Sequence, residues 1–405
     1  MTLSADSSSV AGARLPAAVA AQFTPEDRRF LVELRRALHR APELSWQEHG
    51  TRDRLHAALM ECGIADIANV AGTGLVARIR GQRRAGPAVA VRGDIDALPI
   101  TELTELPFAS VNPGVMHACG HDMHATWAVG AGLLLARQPA SGEVRVVLQP
   151  AEELGEGAAK VLDSGALDGV TAIFGAHVDW RYTVGEVVAD AGPLAASTDT
   201  FEIVFHGRGG HGARPQDTLD PVVGLGAFIG TVQTIVSRRL DPSLPGVISV
   251  GTVHAGSAAN VIPETASCRG TVRATTTASR LLLAEELERM AHAVATAYRL
   301  TATVTLHEGT PPLLNSPRGA EWAQRSARML LGDASVRSLA GANMGGEDFA
   351  YYLERMDGCF MRVGTWREGR SRAGVHTPRF DPDEDALFVG AALLAACART
   401  ASAAF

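Results

Sequence analysis

AVAVRGD, residues 88–94, is a short apolar run that ends in Gly-Asp. EVRVVLQP, residues 143–150, ends at a proline, and TAIFGAH, residues 171–177, ends at a histidine. Helical stretches at 123–137 and 155–164 separate the three runs. Apolar runs of this length read as buried strands, and strands alternating with helices predict an α/β domain with a largely parallel sheet. Upstream, residues 25–40 (PEDRRFLVELRRALHR) carry apolar residues at helical spacing, with Thr24 as N-cap before Pro25. A second helix is expected over 51–62.

Downstream the pattern changes. TFEIVFHG reads as a strand, DPVVGLGAFIGTVQTIVSR as a helix, VISVGTVHAG and TASCRGTVRAT as strands. ASRLLLAEELERMAHAVATAYR is a further helix and LTATVTLHEG a further strand. The order β-α-β-β-α-β over 198–308 predicts a ferredoxin-like α+β unit. Pro311, Pro312 and Pro317 punctuate its exit, before a helix near 318–331, a strand near 360–364 and a last helix from about 383. The expected layout is a flexible tail over 1–24, an α/β domain over 25–195 and 310–405, and an inserted domain over 196–309.

The chain has 405 residues, enough for two or three domains at about 150 residues each. It is 46% hydrophobic and 20% charged, the balance of a globular protein, which excludes disorder, collagen and coiled coil as its main architecture. A net charge of −7 with no basic block argues against a nucleic-acid partner. No apolar run is expected to reach the roughly 18–20 residues of a membrane span, and the N-terminus does not read as a signal peptide. Cys62, Cys119, Cys268, Cys359 and Cys397 form no C-x-x-C pair, and this odd, scattered set predicts reduced thiols in a cytoplasmic protein. The single lysine, Lys160, lies in Ala-Ala-Lys-Val, which excludes a Walker-type phosphate loop.

Ligands of open α/β sheets bind beyond the carboxyl ends of the strands. There the three runs offer Asp94 and Asp96, Glu152 and Glu153, and His177. Between the first two lies MHACGHDMHAT, with His117, Cys119, His121, Asp122 and His124. Alone, that loop reads equally as a buried cysteine beside solvated histidines. Beside strand ends carrying carboxylates and another imidazole, it points to a metal site. Adjacent residues of an extended segment face opposite ways, so one glutamate of the pair is expected to bind metal and the other to address water. Gly207, Gly209 and Gly212 match G-x-G-x-x-G, but Pro215 and a polar loop follow where a dinucleotide site needs a helix. These glycines instead free the backbone around His211. No G-x-S-x-G, S-x-x-K or H-E-x-x-H occurs.

RGDIDALP, MHACGHDMHAT, QPAEE, GAHV, GGHGARP, NVIP, GTVR, GEDF and HTPRF follow one another in the order seen in the M20 metallopeptidase superfamily. The chain most resembles its amidohydrolase branch of hippurate, N-acyl-amino-acid and auxin-conjugate hydrolases, over about residues 30–395. The resemblance implies two divalent metal ions per subunit (Mn²⁺, Zn²⁺ or Co²⁺) in the α/β domain. It also implies a lid domain that pairs two subunits into a homodimer or a higher oligomer. Matched position by position, Cys119, His121, Glu153, His177 and His376 would be metal ligands. Glu152 would be the general base, and Asp94 would support the ligands from behind. His211 would polarise the scissile carbonyl in the partner's site, and Asn260 and Arg273 would hold the substrate's carboxylate. Met123, Trp127, Trp180 and Gln216 depart from the family's usual residues without removing a ligand, so they bear on which acyl group fits. The expected reaction is hydrolysis of an N-acyl amino acid, with no nucleic-acid or membrane partner. A dipeptidase or carboxypeptidase of the same superfamily, and a non-catalytic metal-stabilised binding protein, are the alternatives; retention of Glu152 speaks against the last.

Overall fold

The computed structural model describes residues 15–83, 86–370 and 372–405. The first fourteen residues of the expected tail lie outside them. From Leu15 onward the tail reading is corrected. Leu15, Val19 and Phe23 are buried in an apolar core, and Ala17–Ala20 is helical. The helix Pro25–Arg40 follows with the expected cap: the Thr24 hydroxyl accepts from the Asp27 N–H (3.2 Å), and the Asp27 carboxylate accepts from the Thr24 N–H (2.8 Å). The next helix is His49–Glu61, begun two residues early because the Glu43 carboxylate accepts from the N–H groups of Gly50 (3.1 Å) and Thr51 (2.7 Å).

The chain divides into two compact units. The first takes in the chain up to Gly192, Asn315–Leu339 and Tyr351–Phe405; the second takes in Pro193–Leu314 and Ala340–Ala350. Residues 340–350 were expected with the α/β domain. They join the second unit through backbone bonds: the Asn343 N–H donates to the Leu194 carbonyl and the Ala196 N–H to the Asn343 carbonyl, each at 2.9 Å.

An eight-stranded sheet runs through the first unit. Its order is Ile67–Val70, Gly74–Ile79, Val144–Gln149, Ala88–Asp94, Val170–Thr183, Asp357–Trp366, Val187–Val188 and Val336–Arg337. The four strands from Val144–Gln149 to Asp357–Trp366 pair in parallel; three are almost wholly buried, and Val170–Thr183 is buried as far as Asp179 apart from Thr171, as their apolar runs require. The second unit holds a four-stranded antiparallel sheet in the order Gly246–Ala255, Thr265–Ala274, Asp199–His206 and Thr301–His307. With the helices Pro221–Arg238 and Thr277–Ala297 it is the ferredoxin-like unit read from the sequence.

The expectation that no run is long and apolar enough to cross a membrane needs correction. Ala386–Ala403 meets both criteria, but 78% of it is buried inside the protein, where it belongs to the first unit's core. It packs on the helix His121–Arg137. Trp127 Nε1 donates to the Ala386 carbonyl (2.9 Å), and a Cβ at Gly390 would lie 2.4 Å from the Trp127 ring. Trp127 and Met123 are therefore core side chains with no exposed surface, so these two departures do not shape an acyl pocket.

Candidate metal centre

The parallel strands bring their carboxyl ends to one edge of the sheet, and the helix His121–Arg137 starts at that edge. Gly120 makes the turn into it at φ 87°, where a Cβ would also lie 2.7 Å from Val178 Cγ2. Cys119 Sγ then lies 3.3 Å from Nε2 of His177 and 3.3 Å from Nε2 of His376. His376 Nε2 is 3.6 Å from Glu153 Oε1. His121 Nε2 is 3.9 Å from that same oxygen and 3.8 Å from Glu152 Oε2. Among the described residues, the sets of ligand atoms close enough to share a cation include Cys119, His121 and His177; Cys119, Glu153 and His376; and His121, Glu152 and Glu153. Cys119 belongs to two of them.

The glutamate pair does not diverge as an extended segment would. Residues 152–155 form a turn and Ala151 has φ 49°, so both carboxylates approach His121.

The donor set fits a divalent cation. His121 Nε2 and Glu153 Oε1 are buried with no hydrogen-bond partner. Burial raises the Cys119 thiol well above its ordinary value and pushes the Glu153 carboxyl up to about 7. Burial also drops the His177 imidazole well below its usual range. Burial lowers His121 too, but Asp94, Cys119 and Asp96 outweigh it and raise the imidazole well above its ordinary value, so a proton there is the counter-charge the side chains themselves supply. A divalent ion takes that proton's place, and it binds a thiolate and neutral imidazoles.

Asp94 and Asp96 occupy different positions behind the candidate ligands. The Asp94 carboxylate pairs with Arg92 and accepts from His124 Nδ1 (2.7 Å), and its other oxygen is 3.8 Å from His121 Nε2. Burial alone raises Asp94, but Arg92, His121 and His124 outweigh it and hold the carboxyl well below its ordinary range. Asp96 makes the direct contacts. His121 Nδ1 lies 3.1 Å from its Oδ1, and the Glu153 N–H donates to its Oδ2 at 3.0 Å. One carboxylate thus orients two candidate ligands, the arrangement that fixes the tautomer of a metal-binding histidine. Asp96 stands at a strand end in the sequence, where its neighbours alone assign it no role. The i, i+2 spacing from Asp94 was the available signal.

Of the loop's other two histidines, His124 has both ring nitrogens engaged, and His117 has both buried without a hydrogen-bond partner. His124 Nδ1 is taken by Asp94, and its Nε2 accepts from the Val178 N–H (2.9 Å). His117 is buried, with burial lowering it to about 4. Asp122 faces Arg35 (2.8 Å) and His39 (2.9 Å), which hold it well below its ordinary value against the effect of burial.

His211, Asn260 and Arg273 lie in the second unit. His211 pairs with Val261 in a short ladder, and the Gly212 N–H donates to the Asn260 carbonyl (2.8 Å), so the loops of His211 and Asn260 are stitched together. His211 is exposed, and its Nδ1 accepts from the Ala213 N–H (3.0 Å). That bond puts the proton of the neutral ring on Nε2. Arg273 is half-buried on the strand Thr265–Ala274, opposite Val247.

Residues 90–400 match the family described as Peptidase family M20/M25/M40. The chain belongs to this M20 family. It is 41% identical over 363 residues to the N-acetylcysteine deacetylase of Bacillus subtilis (strain 168), covering 89% of this chain and 93% of that one. It is 34% identical over 370 residues to thermostable carboxypeptidase 1 of Saccharolobus solfataricus, covering 89% and 93%. Among solved structures, the YXEP protein of Bacillus subtilis, a dinuclear metal-binding peptidase of the M20 family, matches with a TM-score of 0.82. Its identity is 36%, over 93% of this chain and 99% of that one. M20 membership accords with the nine sequence blocks and with the catalytic-plus-lid architecture.

Proposed function

We propose that this M20 protein is a metal-dependent amidohydrolase that cleaves N-acyl amino acids to a carboxylic acid and a free amino acid. The observation that carries the reading is the convergence of Cys119, His121, Glu153, His177 and His376 around unpartnered buried atoms, with Glu152 beside them. These five side chains would hold two divalent ions, with zinc, manganese and cobalt all compatible with a thiolate, imidazole and carboxylate set. Bound there, the ions supply Lewis acidity toward the amide carbonyl and the attacking water. Glu152 accepts the water's proton and returns it to the leaving amine. His211 donates from Nε2 to the developing oxyanion, a contribution of about 3–4 kcal/mol for one such donor. Arg273 and Asn260 bind the free carboxylate of the substrate. Two subunits pair through the lid sheet, whose edge strand Gly246–Ala255 exposes Thr252–Ala255. Five unpaired thiols favour a reducing, cytoplasmic setting.

A hydrolysis screen of the metal-reconstituted protein tests this reading. N-acetyl and N-benzoyl amino acids, N-acetylcysteine among them, are expected to be cleaved. Chelation should abolish the activity, and Mn²⁺, Co²⁺ or Zn²⁺ should restore it. Turnover of unblocked dipeptides alone, or undiminished activity in metal-free protein, would refute it.

Arg273→Ala is expected to raise KM for free-acid substrates by about 10–150-fold, the scale of one charge-assisted hydrogen bond of about 1.5–3 kcal/mol. The same variant should lose little on substrates whose carboxylate is amidated. Steady-state kinetics on matched acid and amide substrates check this, and equal losses on both would remove Arg273 from carboxylate binding.

A further inference from the structure

PELSWQE, residues 42–48, lies between two helices and touches the loops that end the parallel strands. The Ala97 N–H donates to the Glu43 carbonyl (2.8 Å), and Ser45 Oγ donates to Asp96 Oδ2 (2.7 Å). Trp46 Nε1 donates to Glu156 Oε2 (3.1 Å). Glu48 reaches deepest. It has no exposed surface, its Oε1 accepts from the Ala151 N–H (2.9 Å), and its Oε2 accepts from Thr73 Oγ1 (2.6 Å).

Ala151 is an unusual residue to find there. It is fully buried, has φ 49°, and immediately precedes Glu152. A residue with a Cβ resists this left-handed region, so the surroundings must impose it. The neighbouring backbone is closed on both sides. A Cβ at Gly74 would lie 2.7 Å from Pro150 Cδ, and one at Gly157 would lie 1.7 Å from the Pro150 carbonyl oxygen. The Gly157 N–H donates to the Ala151 carbonyl (3.2 Å). The Ala151 N–H is the remaining handle, and Glu48 grips it.

We propose that Glu48 is a positioning residue for the hydrolysis: by holding the Ala151 N–H it keeps the left-handed turn that aims the Glu152 carboxylate at the metal centre. The inference rests on Glu152 acting as the base. The Glu153 N–H is tied separately to Asp96, so Glu48 governs the base more than the ligand.

Glu48→Ala, made in the full chain, should lower kcat by about 10²-fold, the usual cost of a small misplacement remote from the chemistry. KM and bound metal should be unchanged, and the acid limb of the kcat–pH profile should shift. Glu48→Gln keeps an oxygen that accepts from Ala151 and should retain most of the activity. Ala151→Gly on the Glu48→Ala background should recover about tenfold, because glycine adopts the turn without strain. An unchanged kcat in Glu48→Ala overturns the proposal. So does a folded, metal-replete double variant that recovers nothing. If Glu48→Ala does not fold, Glu48→Met removes the acceptor for the Ala151 N–H while keeping most of the side chain's bulk. A lowered kcat then supports the proposal, and an unchanged one overturns it. Glu152→Gln serves as the control: if it stays active, the proposal fails at its premise, the reading of Glu152 as base; if it is inactive while Glu48→Ala is unimpaired, the proposal alone fails.

Discussion

Glu152→Gln is expected to lower kcat by at least ~10²-fold, the lower scale for loss of a general base, while the protein keeps its metal. Glu153→Gln is expected to do the reverse and release metal first. Both carboxylates approach His121 Nε2, at 3.8 and 3.9 Å, so distance alone does not separate their roles. Their surroundings do. Glu153 Oε1 also faces His376 at 3.6 Å and is buried without a hydrogen-bond partner, the state of an atom that awaits a cation. Glu153 shares a ligand set with Cys119 and His376, and Glu152 does not. Metal analysis of the two purified variants, alongside their kcat, checks the assignment. Metal loss in Glu152→Gln with retention in Glu153→Gln would exchange the two roles.

Sequence patterns revealed those parts of the protein whose causes are local. Thr24 before Pro25 marks a helix start because the cap is made within three residues. The parallel strands were visible because burial on both faces requires unbroken apolar runs. The candidate ligands were visible because thiol, imidazole and carboxylate groups crowd short segments at strand ends. What the sequence hid depends on distant partners. Trp127 reads as a pocket residue until Gly390, far along the chain, is seen to make room for its ring in the core. The turn at Glu152 and Glu153 follows from φ at Ala151, and alanine gives no sign of a left-handed backbone. The role of Asp96 came from a hydrogen bond to His121, 25 residues away, that no spacing rule prescribes.

His211→Ala and Glu152→Gln, each nearly inactive alone, are expected to regain activity when mixed and allowed to exchange subunits. His211 lies on a loop of the second unit, stitched to the loop of Asn260, and its Nδ1 bond to Ala213 leaves Nε2 as the donor. The Ala213 bond fixes the ring and leaves its exposed Nε2 to donate beyond its own loop. If His211 completes the site of the other subunit, a mixed dimer holds one site with both Glu152 and His211 intact. Statistical exchange puts about half of the dimers in the mixed state, each with one working site of two, so up to roughly a quarter of wild-type activity should return. If His211 serves its own subunit, every site in the mixed dimer lacks one of the two groups. No activity then returns, even when tagged subunits are shown to have exchanged. The two arrangements therefore predict different yields from the same mixture, and the recovered rate, read against the measured fraction of mixed dimers, decides between them.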